Sequence, residues 1–133
     1  MATKRTHQGD DGSTGVLGEE RLPKYHLRIE TLGSLDEASA ALGLARSMTG
    51  NETTARLILE AQRQLYILMS EIAHPAGDNS NLPCLQASHL EWIDSAIQEM
   101  ENTVALPTKF ILPGDNPASG ALGLARAIVR RAE

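Results

Sequence analysis

The stretch LARAIVRRAE, residues 124–133, sets Arg126 and Arg130 four apart in an otherwise small and apolar segment. On a helix, positions 119, 123, 126, 130 and 133 share one strip, here Ser119, Gly123, Arg126, Arg130 and Glu133. Two guanidinium groups one turn apart can hold a polyanion with several donors. The same spacing serves a solvated face whose cations complement the helix C-terminus, and spacing alone favours that ordinary reading. Gly123 weakens a helix, which implies that something approaches its backbone closely.

A second candidate is the loop QGDDGSTGVLG, residues 8–18. Its glycines let backbone N–H groups approach phosphate, and Ser13 and Thr14 can donate or help to hold a magnesium shell. It is no P-loop, because no Gly-Lys-Ser/Thr follows and no strand leads in. By itself the signal is weak and favours a flexible surface loop. Lys24 could add a phosphate cation. Asp36 and Glu37 have the spacing of a capping box after Ser34, which is the ordinary reason for acids there. Phe110 is the only phenylalanine and stands between Pro107 and Pro113, where core packing is its ordinary role. His7, His26, His74 and His89 have no metal-ligand spacing, so no protein-bound metal is expected. Cys84 reads as a free thiol.

The elements that must position these residues follow from periodicity. A helix is expected from about residue 30 or 34 to 48, ended by Gly50. A second begins at the cap Asn51 and carries the stripe Ile58, Ala61, Leu65, Leu68 and Ile72. A third opens at Ser88-His89-Leu90-Glu91 with the stripe Leu90, Ile93, Ile97 and Met100. A fourth starts at Asn116-Pro117, where proline loses no needed hydrogen bond, and carries Ala118, Leu122, Ala125, Val129 and Ala132. No alternating strand pattern of useful length is present. The expected fold is all-α, an antiparallel helical bundle of the ferritin-like kind. One domain covers residues 1–133, with a glycine-rich arm over 1–27 and the bundle over 28–133.

Bulk properties bound the function. The chain has 133 residues, 41% of them apolar and 22% charged, which suits one soluble domain with a real core. A net charge of −5 argues against nonspecific nucleic-acid binding, so any anion site is a local concentration of cations. A single cysteine leaves no internal disulfide and fits a reducing compartment. No apolar run approaches a membrane span and the start lacks a secretory signal, so a cytoplasmic protein without a membrane partner is expected.

The weak signals occur together in a particular order. Thr6-x-x-Gly9-Asp10-x-Gly12-x-Thr14-Gly15 is followed by Pro23-Lys24, then by Arg28-x-Glu30-x-x-Gly33-x-x-Asp36-Glu37. Phe110-x-Leu112-Pro113-Gly114 and Ala125-Arg126-x-x-x-Arg130-Arg131-Ala132-Glu133 come after. From about residue 5 onward this resembles the PduO-type ATP:cob(I)alamin adenosyltransferases. The resemblance implies a helical bundle that forms a homotrimer with active sites between neighbouring subunits. It implies transfer of the 5′-deoxyadenosyl group of ATP to the cobalt of reduced cobalamin, with release of triphosphate. Thr6, Gly9, Asp10, Gly12, Ser13, Thr14, Gly15 and Lys24 would then wrap the triphosphate and its Mg²⁺, and Arg130 with Glu133 would complete the ATP site. Arg126 would pair with Asp36 and shape the site, and Phe110 would press on the lower corrin face. Cob(I)alamin is itself the nucleophile, so the protein's tasks are alignment and stabilisation of the leaving group.

The chain departs from the family pattern at several places. His7 stands where Lys or Arg is usual, Gln8 where Thr is usual, Asp115 where a second glycine is usual, and Gly123 where His is usual. The family runs past the Arg130–Glu133 segment into a further helix, so this chain is expected to lack the last helix. Two other readings stand beside the enzyme: a non-catalytic relative that binds ATP or cobalamin, and a plain helical-bundle interaction protein.

Overall fold

The computed structural model describes residues 7–18, 21–74 and 82–133. In chain order it contains β1 (Ser13–Thr14), β2 (Leu22–Pro23), α1 (Leu27–Met48), α2 (Glu52–Ala73), α3 (Ala87–Thr103) and α4 (Pro117–Ala132). The helical bundle is as expected. The arm, however, is not all loop. Ser13 faces Pro23 and Thr14 faces Leu22 in a short antiparallel pair that no alternation signal could reveal.

Helix α1 begins earlier than the periodicity suggested. The His26 ring accepts from the Arg28 N–H and caps the helix, and Gly33 and Ser34 lie inside it. Ser34-Leu35-Asp36-Glu37 is therefore no capping box, and the acids there have another purpose. Asn51 caps α2 as expected, its side chain accepting from Thr54 N–H at 2.9 Å. Helix α3 is capped by Gln86 rather than Ser88, with the His89 ring reaching back to the Gln86 N–H at 2.8 Å. Asn116 and Ser119 form a reciprocal box at the start of α4, and Pro117 occupies the first turn.

The core is a thin seam of small residues. Ala45, Ile58 and Ala121 form one buried cluster, with Leu42 and Leu122 packed on it. Ala45 lies near the end of α1, whereas Ile58 and Ala121 lie near the starts of α2 and α4. Farther along, Glu37 on α1 meets Arg131 at the end of α4, and Gln62 on α2 donates to the Ser39 carbonyl at 2.9 Å. Both α2 and α4 therefore run antiparallel to α1, packed on it through alanines that let the backbones come close.

Helix α3 stands apart from this seam and contributes no buried residue. Its stripe Leu90, Ile93, Ile97 and Met100 is exposed. Between α3, α2 and Val129 of α4 runs an apolar groove of about 590 Å³. Gln64 of α2 lines it, only 7% exposed, and its Oε1 has no hydrogen-bond partner among the described residues.

Candidate functional site

The glycine-rich arm folds into a tight turn. Gly12 has φ of 82°, a left-handed conformation that glycine adopts without a Cβ penalty. Asp11 accepts from both the Ser13 N–H at 2.9 Å and the Ser13 hydroxyl at 2.8 Å. These two bonds, the backbone one foremost, hold the Asp11 carboxyl below the usual carboxylate range, and the Arg21 guanidinium adds to the effect. The Lys24 N–H donates to the Gly12 carbonyl at 2.9 Å, and the Lys24 ammonium donates to the Gly9 carbonyl at 2.7 Å. His7 Nδ1 lies 3.2 Å from Asp10 Oδ2. Thus Gly9, Asp10, Gly12, Ser13, Thr14, Gly15 and Lys24, scattered over 16 positions, come together in one turn. Thr6 lies outside the described residues.

Thr14 and Gly15 open onto a concavity of about 440 Å³ that Asp36 lines from α1 and Met69 and Ala73 line from α2. Asp36 is exposed and lies on the α2 side of α1. Its neighbour Glu37 faces the other way, towards α4, where Arg131 pairs with it at 2.6 Å. That pair, joining residues 94 apart, is the ionic link between α1 and α4 among the described residues, and both partners are 61% exposed.

A second concavity, of about 580 Å³, lies on the flank of α4. Lys109, Phe110, Pro113, Ser119, Gly123 and Arg126 line it. Phe110 is 90% exposed, so core packing is not its role. Gly123 explains how the connection closes on the helix. A Cβ there would stand 2.7 Å from Pro113 Cβ, a distance the rigid proline ring cannot relieve without moving. The close approach inferred from Gly123 is thus the seat of the segment carrying Phe110. Arg130 and Glu133 lie farther along the strip, 3.8 Å apart and both exposed. Glu133 and Arg131 also border a polar concavity of about 540 Å³ with Glu30 and Glu37.

Within one chain Arg126 and Asp36 form no ion pair. The register explains it. Ala45 pairs in level with Ala121, and Glu37 with Arg131. Asp36 therefore lies about five residues farther along the bundle axis than Arg126, roughly 7 Å at the rise of an α-helix. It also points to the α2 side, not towards α4. Among the described residues no group of three His, Cys, Asp or Glu side chains could cage a metal, and no helix is long and apolar enough to cross a membrane.

The sequence reading missed two residues here. Arg21, the residue before β2, bonds across the glycine-rich turn to Ser13, but a two-residue strand leaves no periodic trace. In that reading Arg131 has no role beyond its place in the Ala125–Glu133 pattern, because its partner Glu37 reads as a capping acid.

The fold and site define a helical bundle that carries a glycine-rich, lysine-braced turn and, separately, an aromatic exposed beside arginines. This chain belongs to the cobalamin adenosyltransferase family, whose sequence profile matches residues 4–133. It is 33% identical over 129 residues to the corrinoid adenosyltransferase PduO of Salmonella typhimurium, covering 96% of this chain and 38% of that protein. It is 30% identical over 131 residues to the corrinoid adenosyltransferase of Mycobacterium tuberculosis, covering 96% of this chain and 68% of that one. Among solved structures it resembles a variant of the PduO-type ATP:corrinoid adenosyltransferase from Lactobacillus reuteri complexed with cobalamin and ATP. The TM-score is 0.86 at 29% identity, over 96% of this chain and 72% of that one. Another variant of the same protein, complexed with ATP, superposes with a TM-score of 0.85 at 30% identity, covering 97% and 73%. This chain spans about two fifths of the length of the Salmonella relative.

Proposed function

We propose that this chain transfers the 5′-deoxyadenosyl group of ATP to the cobalt of reduced cobalamin and releases triphosphate. One observation carries the reading: two surfaces that such a reaction needs are both built, but on different parts of one chain. The lysine-braced turn with Asp36 suits a triphosphate, and the Phe110–Arg126 concavity suits a flat apolar ring system with an anionic neighbour. A site that uses both is assembled from two copies, with Arg126 of one subunit meeting Asp36 of the next. A closed ring of such contacts, the homotrimer implied by the family resemblance, gives every subunit both roles. The exposed apolar stripe of α3 gives the assembly an apolar surface to cover.

In this reading the arm, residues 1–27, and the bundle act as one domain. The turn amides and Lys24 hold the phosphates, and Arg130 with Glu133 closes the ATP site where leaving charge develops. Mg²⁺ would be carried by the phosphates and water, with Ser13, Thr14 and Asp10 as outer partners, since magnesium is commonly held by substrate phosphates rather than a protein cage. Phe110 presents an apolar face that keeps water and an axial base from the corrin. Reduced cobalt and ATP place the reaction in a reducing, ATP-containing compartment, the cytoplasm. An anaerobic assay with chemically reduced cobalamin and Mg-ATP is expected to yield adenosylcobalamin and triphosphate. Mg-ATP binding without product would leave a non-catalytic relative, and absence of binding would leave a plain interaction bundle.

A further inference from the structure

Among the described residues the arm contributes none to the buried seam, yet one side chain ties it together from outside the glycine-rich stretch. Arg21, next to β2, extends back across the turn. Its Nε donates to the Ser13 hydroxyl at 2.8 Å, and its Nη2 donates to the Ser13 carbonyl at 2.8 Å and to the Gln8 carbonyl. The same nitrogen lies 4.0 Å from Asp11 Oδ1, the oxygen that receives both Ser13 bonds. One guanidinium thus spans the turn from Gln8 to Ser13. Its Nε and Nη2 donors are already committed to protein acceptors, so in this arrangement that edge of the fork faces the loop rather than a ligand. The planar fork explains the residue type, because a single ammonium cannot donate in these fixed directions at once.

We propose that Arg21 is the positioning residue that preorganises the phosphate-binding turn, holding Gln8, Asp11 and Ser13 in the receptive conformation before nucleotide arrives. The role rests on the proposed ATP site. A turn ordered in advance loses less freedom on binding, and that saving appears as nucleotide affinity. Because the arm lies outside the buried seam, removing Arg21 loosens the turn without loosening the bundle.

Arg21→Ala and Arg21→Lys in the full chain test this with three readouts: hydrogen exchange of the Ser13 and Lys24 amides without nucleotide, Mg-ATP affinity by calorimetry, and the melting temperature. Arg21→Ala is expected to speed exchange at both amides, weaken Mg-ATP binding about tenfold and leave the melting temperature unchanged. Arg21→Lys is expected to recover part of both losses. Unchanged exchange with weakened binding would make Arg21 a direct phosphate ligand and overturn the positioning role. Faster exchange with unchanged affinity would overturn it equally, and a large fall in melting temperature would make Arg21 an ordinary structural residue. If the unaltered chain binds no Mg-ATP, the proposed function fails and takes this role with it; if that chain binds and Arg21→Ala binds as well, the role alone fails.

Discussion

If catalysis uses Arg126 of one subunit and Asp36 of its neighbour, two inactive proteins should restore each other. Asp36→Ala and Arg126→Ala each remove one partner of a charge-assisted contact, a loss of about 1.5–3 kcal/mol, or roughly ten- to a hundredfold in rate. Expressed together with different tags and purified through both tags, the two chains share the proposed trimer in 2:1 or 1:2 proportion. A site is intact only where an Arg126→Ala subunit supplies Asp36 and an Asp36→Ala subunit supplies Arg126. In every mixed trimer, whichever chain is present twice, that combination occurs at one site in three, about a third of the sites. The mixed assemblies are therefore expected to show about a third of the unaltered activity in the anaerobic adenosyl-transfer assay, well above either parent. The basis is geometric. In one chain the two residues are offset by about 7 Å along the bundle and point to different sides, so they cannot meet without breaking the Glu37–Arg131 contact. A mixture no more active than its parents, from assemblies shown to contain both tags, would refute the shared site.

Four other perturbations probe separate parts of the structure. Arg130→Ala should lower turnover about ten- to a hundredfold in the same assay, and Arg130→Lys should recover only part of it, because an ammonium lacks the guanidinium fork; unchanged turnover would return Arg130 to an ordinary solvated face. Phe110→Ala should spare Mg-ATP binding by calorimetry while weakening the four-coordinate signal of bound cob(II)alamin in magnetic circular dichroism, and because Phe110 is 90% exposed it should leave the melting temperature unchanged. Gln64→Leu removes a buried amide whose Oε1 lacks a partner, so it should stabilise the chain by about 1–3 kcal/mol and raise the melting temperature by several degrees; destabilisation would mean that a group outside this chain satisfies the amide in the groove. Asp11, held below the usual carboxylate range, stabilises the turn above that range, and its contribution is lost as pH falls through the lowered value. A pH titration of the Ser13 amide signal should therefore show its midpoint below the ordinary aspartate value, and a midpoint at or above that value would rule out the bonds from Ser13.

How much of this was legible in the sequence depended on the range of the interaction that carries each signal. The second and fourth helices were plain, because Asn51 and Asn116 cap through contacts three residues away and the apolar steps repeat within one turn. The first helix was misjudged by a turn because its cap is a histidine, a residue with weak capping preference, while Ser34 to Glu37 imitate a start that is buried inside the helix. The family resemblance picked out Gly9 to Gly15 and Lys24 together, but the spacing of those residues could not say that Arg21 crosses the turn to fasten them. Gly123 was read correctly as a place of close approach, although only the fold names Pro113 as what approaches. The larger gap concerns Asp36 and Arg126. The family resemblance implied that the two pair, and one chain separates them, because the residue that faces α4 is Glu37 and not Asp36. That one-residue difference turns through about 100° of helix. It reserves Glu37 for holding α1 against α4 and leaves Asp36 exposed on the opposite flank, available to a neighbouring subunit. Adjacent acids read as a single capping feature thus divide into one that secures the bundle and one that the proposed shared site would use.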